Sequence, residues 1–217
     1  MQTRSNVRPV YKLTNRLDIL EDENEVLADT IDDLFESYKT IHTNNSKYNT
    51  SFDAKSSLGD CAKWHYGYKD EIEPCFYLTL NKIWGFKPKE INATDFEKNE
   101  WPKVFRDRWE KFSNKSKVFF HCDELETKRG TKKVEFTYFT DDGGMDLKYF
   151  PFLGSSDNGT YHQPIVAVKL KLPNNEKRTR NYLIECKAYY QDVIHSSKLG
   201  RLTGLIQFEV QVKEMKK

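Results

Sequence analysis

Apolar and polar side chains alternate residue by residue over several short runs of this chain, a period that buries one face of an extended strand and leaves the other toward water. Phe76, Leu78 and Leu80 alternate with Tyr77, Thr79 and Asn81; Pro74 opens the run, and Gly85 and Pro88 end it, since neither continues a ladder well. Val134, Phe136 and Tyr138 alternate with Glu135 and Thr137, and Val166, Val168, Leu170 and Leu172 with Ala167, Lys169 and Lys171. Tyr182, Ile184, Cys186 and Ala188 alternate with Leu183, Glu185 and Lys187, and Ile206, Phe208, Val210 and Val212 with Gln207, Glu209 and Gln211. The pattern predicts antiparallel sheets with one wet face.

A helical period occurs in two places. Leu27, Ile31, Leu34, Phe35 and Tyr38 recur at helical spacing behind a run of Asp and Glu, which the dipole favours at a helix start. This predicts one amphipathic helix packed on the sheet. Between Ile91 and Lys117, Trp101, Phe105, Trp109 and Phe112 stand at near-helical spacing and predict a short helix capping the strands. Met1 to Leu17 is polar and basic and reads as a stalk, while His42 to Asp60 is rich in Ser, Thr and Asn and reads as an exposed linker. The expected fold is mainly β, an immunoglobulin-like antiparallel β-sandwich with an N-terminal amphipathic helix and a helical insertion.

Composition refines this picture. At 217 residues the chain can bury one sizeable core, and because only 37% is hydrophobic while 14% is aromatic, that core must lean on Phe, Tyr and Trp. A net charge of +2 sets up no global field for nucleic acid, and the cluster Lys128, Arg129, Lys132, Lys133 reads as a solvated hairpin around Gly130. Histidines 42, 65, 121, 162 and 195 lack metal-ligand spacing. His121 and Cys122 point to opposite faces of a strand, with His121 expected at the surface or an edge. Asp141, Asp142, Gly143 and Gly144 are a glycine turn rather than a calcium loop. Neither P-loop, nucleophile elbow nor paired carboxylates are found, so no catalytic, metal or cofactor residue is expected.

The longest apolar runs, around Ile165 to Val168, fall far short of the ~18 to 20 residues of a membrane helix. The opening MQTRSNVRPVYKL lacks the apolar region of a secretory signal. Two features nevertheless fit an extracellular life. Asn44, Asn49, Asn92, Asn114 and Asn158 each open an Asn-Xaa-Ser/Thr triplet suited to glycosylation. Four cysteines allow three pairings if oxidised; the alternative is reduced cytosolic thiols.

The stretch GYKDEIEPCFYLTLNKIWGFKPK, Gly67 to Lys89, together with IECKAY, Ile184 to Tyr189, resembles the extracellular domain of the β-subunits of Na+/K+- and H+/K+-transporting P-type ATPases. That resemblance implies the same immunoglobulin-like fold and pairs Cys61 with Cys75 and Cys122 with Cys186; nothing here matches the third bridge usual in the family. Divided on this basis, residues 1–60 form juxtamembrane stalk, helix and linker, and 61–217 a disulfide-stapled ectodomain. Tyr149, Phe150, Pro151, Phe152, Leu153 and Gly154 resemble the family's aromatic-proline-aromatic-glycine segment near the contact with the catalytic α-subunit, where aromatics beside a proline suit an interface hot spot. Tyr190, Gln207 and Glu209 depart from the family pattern.

The implied role is a non-catalytic subunit that helps a cation-pump α-subunit fold, leave the endoplasmic reticulum and tune cation affinity, on the extracellular side of the plasma membrane. Such a protein is anchored by a membrane helix absent from this chain, so Met1 either follows a removed helix or begins a paralogue that lost it. The alternative function is an adhesion or secreted sandwich that no longer serves a pump.

Overall fold

The computed structural model describes residues 10–14, 23–36, 38, 52–64, 66, 73–125, 133–140, 143–154, 161–173, 180–196 and 204–213. Its strands are β1 Val10–Thr14, β2 Cys75–Leu78, β3 Lys117–Glu124, β4 Glu135–Phe139, β5 Gly144–Asp146, β6 Val166–Lys171, β7 Arg180–Tyr189 and β8 Leu205–Lys213. Among the described residues four α-helices accompany them: α1 Glu23–Glu36, α2 Ala54–Ser57, α3 Ala93–Lys98 and α4 Lys103–Trp109. One sheet has the order β1-β8-β7-β3-β5 and the other β2-β6-β4. All pairs are antiparallel except β1 with β8, where Val10 lies beside Glu209 and Thr14 beside Lys213.

The two sheets face one another across a shared core. Phe76, Leu78, Val166, Val168 and Leu170 come from one side, and Val118, Phe120, Cys122, Tyr182, Ile184, Cys186, Phe208 and Val210 from the other. Phe76 stacks on Phe208 with ring centroids 4.7 Å apart, so aromatic area knits the sheets together. This is a β-sandwich. One detail separates it from antibody domains, whose bridge joins the two sheets: Cys122 and Cys186 are direct neighbours on β3 and β7 within one sheet.

The expectation of one wet face needs correction, because both outer faces are partly covered. Ala167, on the expected wet side of β6, is fully buried with Phe52, Ala54, Leu58, Cys61, Cys75 and Ile165. On the other sheet, Phe119 and Tyr189 lie under Ile91, Phe96, Trp101, Phe105, Trp109 and Phe112. A covered strand no longer needs polar residues on its second face, which is why β3 is buried continuously from Lys117 to Cys122. His121 is accordingly only 7% exposed, its ring 5.9 Å from that of Phe105, and is not a surface residue.

The helical insertion is two helices rather than one. Pro102 separates them: it has no N–H to continue α3, and its carbonyl accepts from the N–H of Phe105 and Arg106 to start α4. α1 joins the sandwich through Ala28 and Ile31, with Phe35 against Tyr77 at 5.5 Å, whereas Leu34 turns outward at 38% exposed. Tyr38 lies just beyond the helix, its hydroxyl donating to the Gln163 carbonyl at 2.7 Å. Within the expected stalk, Val10–Thr14 is a strand. Ile206, at 42% exposed, escapes the core at the start of β8, while Gln207 is buried and donates to Glu185 across the strands at 2.6 Å. Among the described residues no helix is long and apolar enough to cross a membrane.

Candidate partner interface

β5 delivers the chain into a 3₁₀ turn, Leu147–Tyr149, and the aromatic-proline segment follows at once. The Tyr149 ring meets the buried Phe52 ring edge-on at 5.6 Å, and the Tyr161 hydroxyl donates to the Tyr149 carbonyl at 3.2 Å. Phe150 packs beside Phe86 and reaches the main core; the Phe150–Pro151 peptide is cis. Phe152 pairs with Trp84 through a single parallel bridge, the Gly85 N–H donating to its carbonyl at 2.9 Å, and its ring sits 5.1 Å from Tyr161. Gly154 closes the segment at φ +85°, where a Cβ would come 2.7 Å from Trp84 Cζ3. Glycine is therefore required twice over, by backbone and by space.

All six residues from Tyr149 to Gly154 are half-buried. Tyr149 and Phe150 spend their area on the protein's own clusters. Phe152, Leu153 and Gly154 form a platform beside Trp84, which is 66% exposed next to Ile83 at 56%. Sequence reasoning passed over this pair. A tryptophan beside an isoleucine after a strand that has already ended, inside a Gly-closed turn, was the available signal.

The cysteines form two bridges. Cys61, in a 3₁₀ turn Gly59–Ala62, joins Cys75 at the start of β2, and the Tyr77 hydroxyl donates to the Cys61 carbonyl at 2.6 Å. Cys122 joins Cys186 inside the main core. No free thiol remains. Two triplet asparagines are described, and both are exposed. Asn92 caps α3, its N–H donating to Asp95 Oδ2 at 2.8 Å. Asn114 Oδ1 accepts from the Ser116 N–H at 3.0 Å, and its Nδ2 lies 3.4 Å from Asp146 Oδ1. Asn44, Asn49 and Asn158 lie outside the described residues, as do His42, His65, Asp141, Asp142, Lys128, Arg129 and Lys132.

An open cleft of about 510 Å³ lies between α4 and β4, lined by Arg108, His121, Asp123, Glu124, Lys133 and Tyr138 among others. Two of its charged groups, Arg108 and Glu124, serve the strand edge that β5 leaves bare. The Arg108 guanidinium lies 4.0 Å over the Tyr138 ring and donates to the Phe120 carbonyl, while the Tyr138 hydroxyl accepts from the Cys122 N–H at 2.8 Å. Burial pushes the Tyr138 hydroxyl above its usual pKa, so it stays neutral in this role. Glu124 accepts from the Val134 N–H at 3.2 Å. Side chains thus cap an edge that would otherwise invite pairing. Among the described residues no group of three or more His, Cys, Asp or Glu is placed to hold a metal ion.

A family model described as "Sodium / potassium ATPase beta chain" matches residues 7–208. The chain is 26% identical over 163 residues to the sodium/potassium-transporting ATPase subunit beta-233 of Anguilla anguilla, covering 74% of this chain and 50% of that protein. It is 29% identical over 153 residues to subunit beta-1 of Tetronarce californica, covering 68% and 45%. The potassium-transporting ATPase subunit beta of Mus musculus is 24% identical over 174 residues, covering 79% and 51%. The chain spans about half the length of these curated relatives.

Proposed function

This chain belongs to the sodium/potassium ATPase beta chain family, and we propose that it is the extracellular part of a non-catalytic β-subunit of a cation-transporting P-type ATPase. In this reading it binds the catalytic α-subunit, assists its folding and export, tunes its cation affinity, and sits on the outer side of the plasma membrane, held there by a membrane helix. Residues 61–217 are then the body of the ectodomain and 1–60 the juxtamembrane stalk, helix and linker, of which Val10–Thr14 joins the sheet and Phe52, Ala54 and Leu58 pack on the sandwich, with Asn44, Asn49, Asn92, Asn114 and Asn158 as glycan acceptors. The observation that carries the reading beyond family membership is the segment Tyr149 to Gly154. It is half-buried and held by Phe52, Tyr161 and Trp84, and so offers rigid aromatic area at small entropic cost.

The test is recovery of the α-subunit with the membrane-anchored form carrying Tyr149→Ala or Phe152→Ala. Loss of a hot-spot aromatic costs about 2 kcal/mol or more, roughly thirtyfold in affinity, while the isolated ectodomain keeps its melting temperature for Phe152→Ala. Tyr149→Ala lowers the melt somewhat because its ring supports Phe52. Unchanged recovery for both variants returns the segment to a structural role. Failure of any α-subunit to co-purify favours the adhesion or secreted sandwich instead.

A further inference from the structure

We propose that the turn carrying Ile83 and Trp84 docks on the headgroup layer of a phospholipid bilayer. The two residues are 56% and 66% exposed, a pair of large apolar side chains at the tip of a turn. Around them stand Lys82, Lys87 and Lys89, all exposed. From Thr79 to Lys89 the sequence holds three lysines and no Asp or Glu, and Glu90 just beyond is engaged by the Ser116 hydroxyl. Protein interfaces are depleted in lysine, whereas membrane-surface elements combine Trp and aliphatic tips with lysines that meet lipid phosphates. This charge complementarity selects the lipid surface over a protein groove.

The turn is also built to present its tip. Phe86 N–H donates to the Ile83 carbonyl at 3.2 Å, Gly85 adopts φ +70° and its N–H donates to the Phe152 carbonyl at 2.9 Å. Trp84 rests against Gly154, with no room even for a methyl group between them. The indole edge is thus seated on Gly154 while Trp84 stays 66% exposed.

Placement in the sandwich agrees. The Gln191 N–H donates to the Lys89 carbonyl at 3.1 Å and the Phe86 ring meets Tyr190 at 5.6 Å, so the turn lies at the end where β7 finishes. Lys187 near that end of β7 is paired with Leu205, the first residue of β8. β1 runs parallel to β8, from beside Glu209 to beside Lys213. The strand through which the N-terminal chain enters the sheet therefore comes from the same end of the sandwich as the turn. A membrane anchor on that side would hold Ile83 and Trp84 near the lipid at high local concentration, so a weak intrinsic affinity suffices.

The test uses the 217-residue chain itself. It is floated with vesicles of phosphatidylcholine alone and, to expose the lysine contribution, with vesicles that also contain a minority of phosphatidylserine, and its tryptophan emission is followed with brominated lipid as quencher. The expected result is vesicle association with quenching that Trp84→Phe removes. Ile83→Asn with Trp84→Ala lowers the bound fraction at least about tenfold, and each Lys→Gln at 82, 87 or 89 by roughly fivefold, the lysine effect fading with salt. The substituted positions are exposed, and an unchanged melting temperature verifies that the variants fold. Absence of vesicle association overturns the proposal. Binding that survives loss of both Ile83 and Trp84, or quenching that persists in Trp84→Phe, does so as well. A Trp84→Ala variant that loses the α-subunit yet binds vesicles like the parent assigns the turn to the protein interface and also overturns it. The vesicle outcomes do not depend on whether Tyr149 to Gly154 binds a partner.

Discussion

Two aromatic regions of this molecule have similar residues and opposite fates. On the outer face of the five-stranded sheet, Trp101, Phe105, Trp109 and Phe112 are all buried over Phe119 and Tyr189. At the end of the sandwich, Trp84 stands mostly exposed beside Ile83, and Phe152 is only half-covered. What differs is how much of each region a second surface of the same chain covers. The first set recurs at helical spacing, with Phe105 and Trp109 on α4 and Trp101 and Phe112 flanking it, so one helix seats the group on the sheet; the second sits in a turn, where no periodicity turns a side chain inward. Apolar area with a periodic carrier is covered by its own chain, whereas in the turn the contacts with Phe152 and Gly154 leave Trp84 66% exposed.

The sharpest way to break this comparison is truncation on both sides. Phe105 is fully buried, its ring 4.1 Å from Tyr189, 5.4 Å from Phe96 and 6.4 Å from Phe119. Phe105→Ala should cost about 3 to 5 kcal/mol, a fall of roughly 10 °C in melting temperature for a chain of this size. Trp84→Ala should stay within about 0.5 kcal/mol of the parent, as exposed substitutions do. Thermal melts of the two variants side by side decide it; equal losses would mean that the end turn is part of the core.

Gly154→Ala should act at an intermediate scale. Its left-handed backbone costs a side chain about 1 to 2 kcal/mol, and the added methyl collides with Trp84 at 2.7 Å. In the Gly154→Ala, Trp84→Ala double variant the collision is relieved and only the backbone cost remains. Denaturant unfolding of the four species gives the coupling. Strict additivity would show that Trp84 does not rest on Gly154 in solution.

Strand alternation made β2, β4, β6 and β7 legible in the sequence, because each carries a long enough run of period two to face one core. It could not reveal the outer layers. Ala167 reads as a small residue on a wet face, yet it is buried because the 52–62 segment lies over it, a fact about chain elsewhere. His121 does stand on the edge of β3 beyond β5, one of its two expected places, but it is buried there for the same reason: α4 covers it. β1 and β5 were missed because they are short, one inside a polar basic stretch and one beginning in a pair of glycines. The aromatic-proline segment was visible as a motif, whereas Ile83 and Trp84 lacked one, and their exposure depends on Phe152 and Gly154 some seventy residues later.

The smallest expected effect separates the two regions by pH. His195 belongs to the buried side, with Tyr189 4.9 Å and Trp101 6.5 Å from its ring, and its Nε2–H donates to the Ala188 carbonyl at 2.7 Å. Burial holds its pKa below the usual histidine value; the Ala188 carbonyl and Glu185 oppose that shift and Lys187 adds to it. The unfolded chain therefore binds a proton at His195 more readily than the folded one. Its contribution is fully present above the ordinary histidine pKa of about 6.5 and is lost as pH falls through that value toward the depressed folded one. Melting temperature should fall between neutral and mildly acidic pH, and His195→Gln should flatten that dependence while the Trp84→Ala variant leaves it untouched. A pH dependence identical in His195→Gln and the parent would mean that the half-buried ring does not stay neutral against Tyr189 and Trp101.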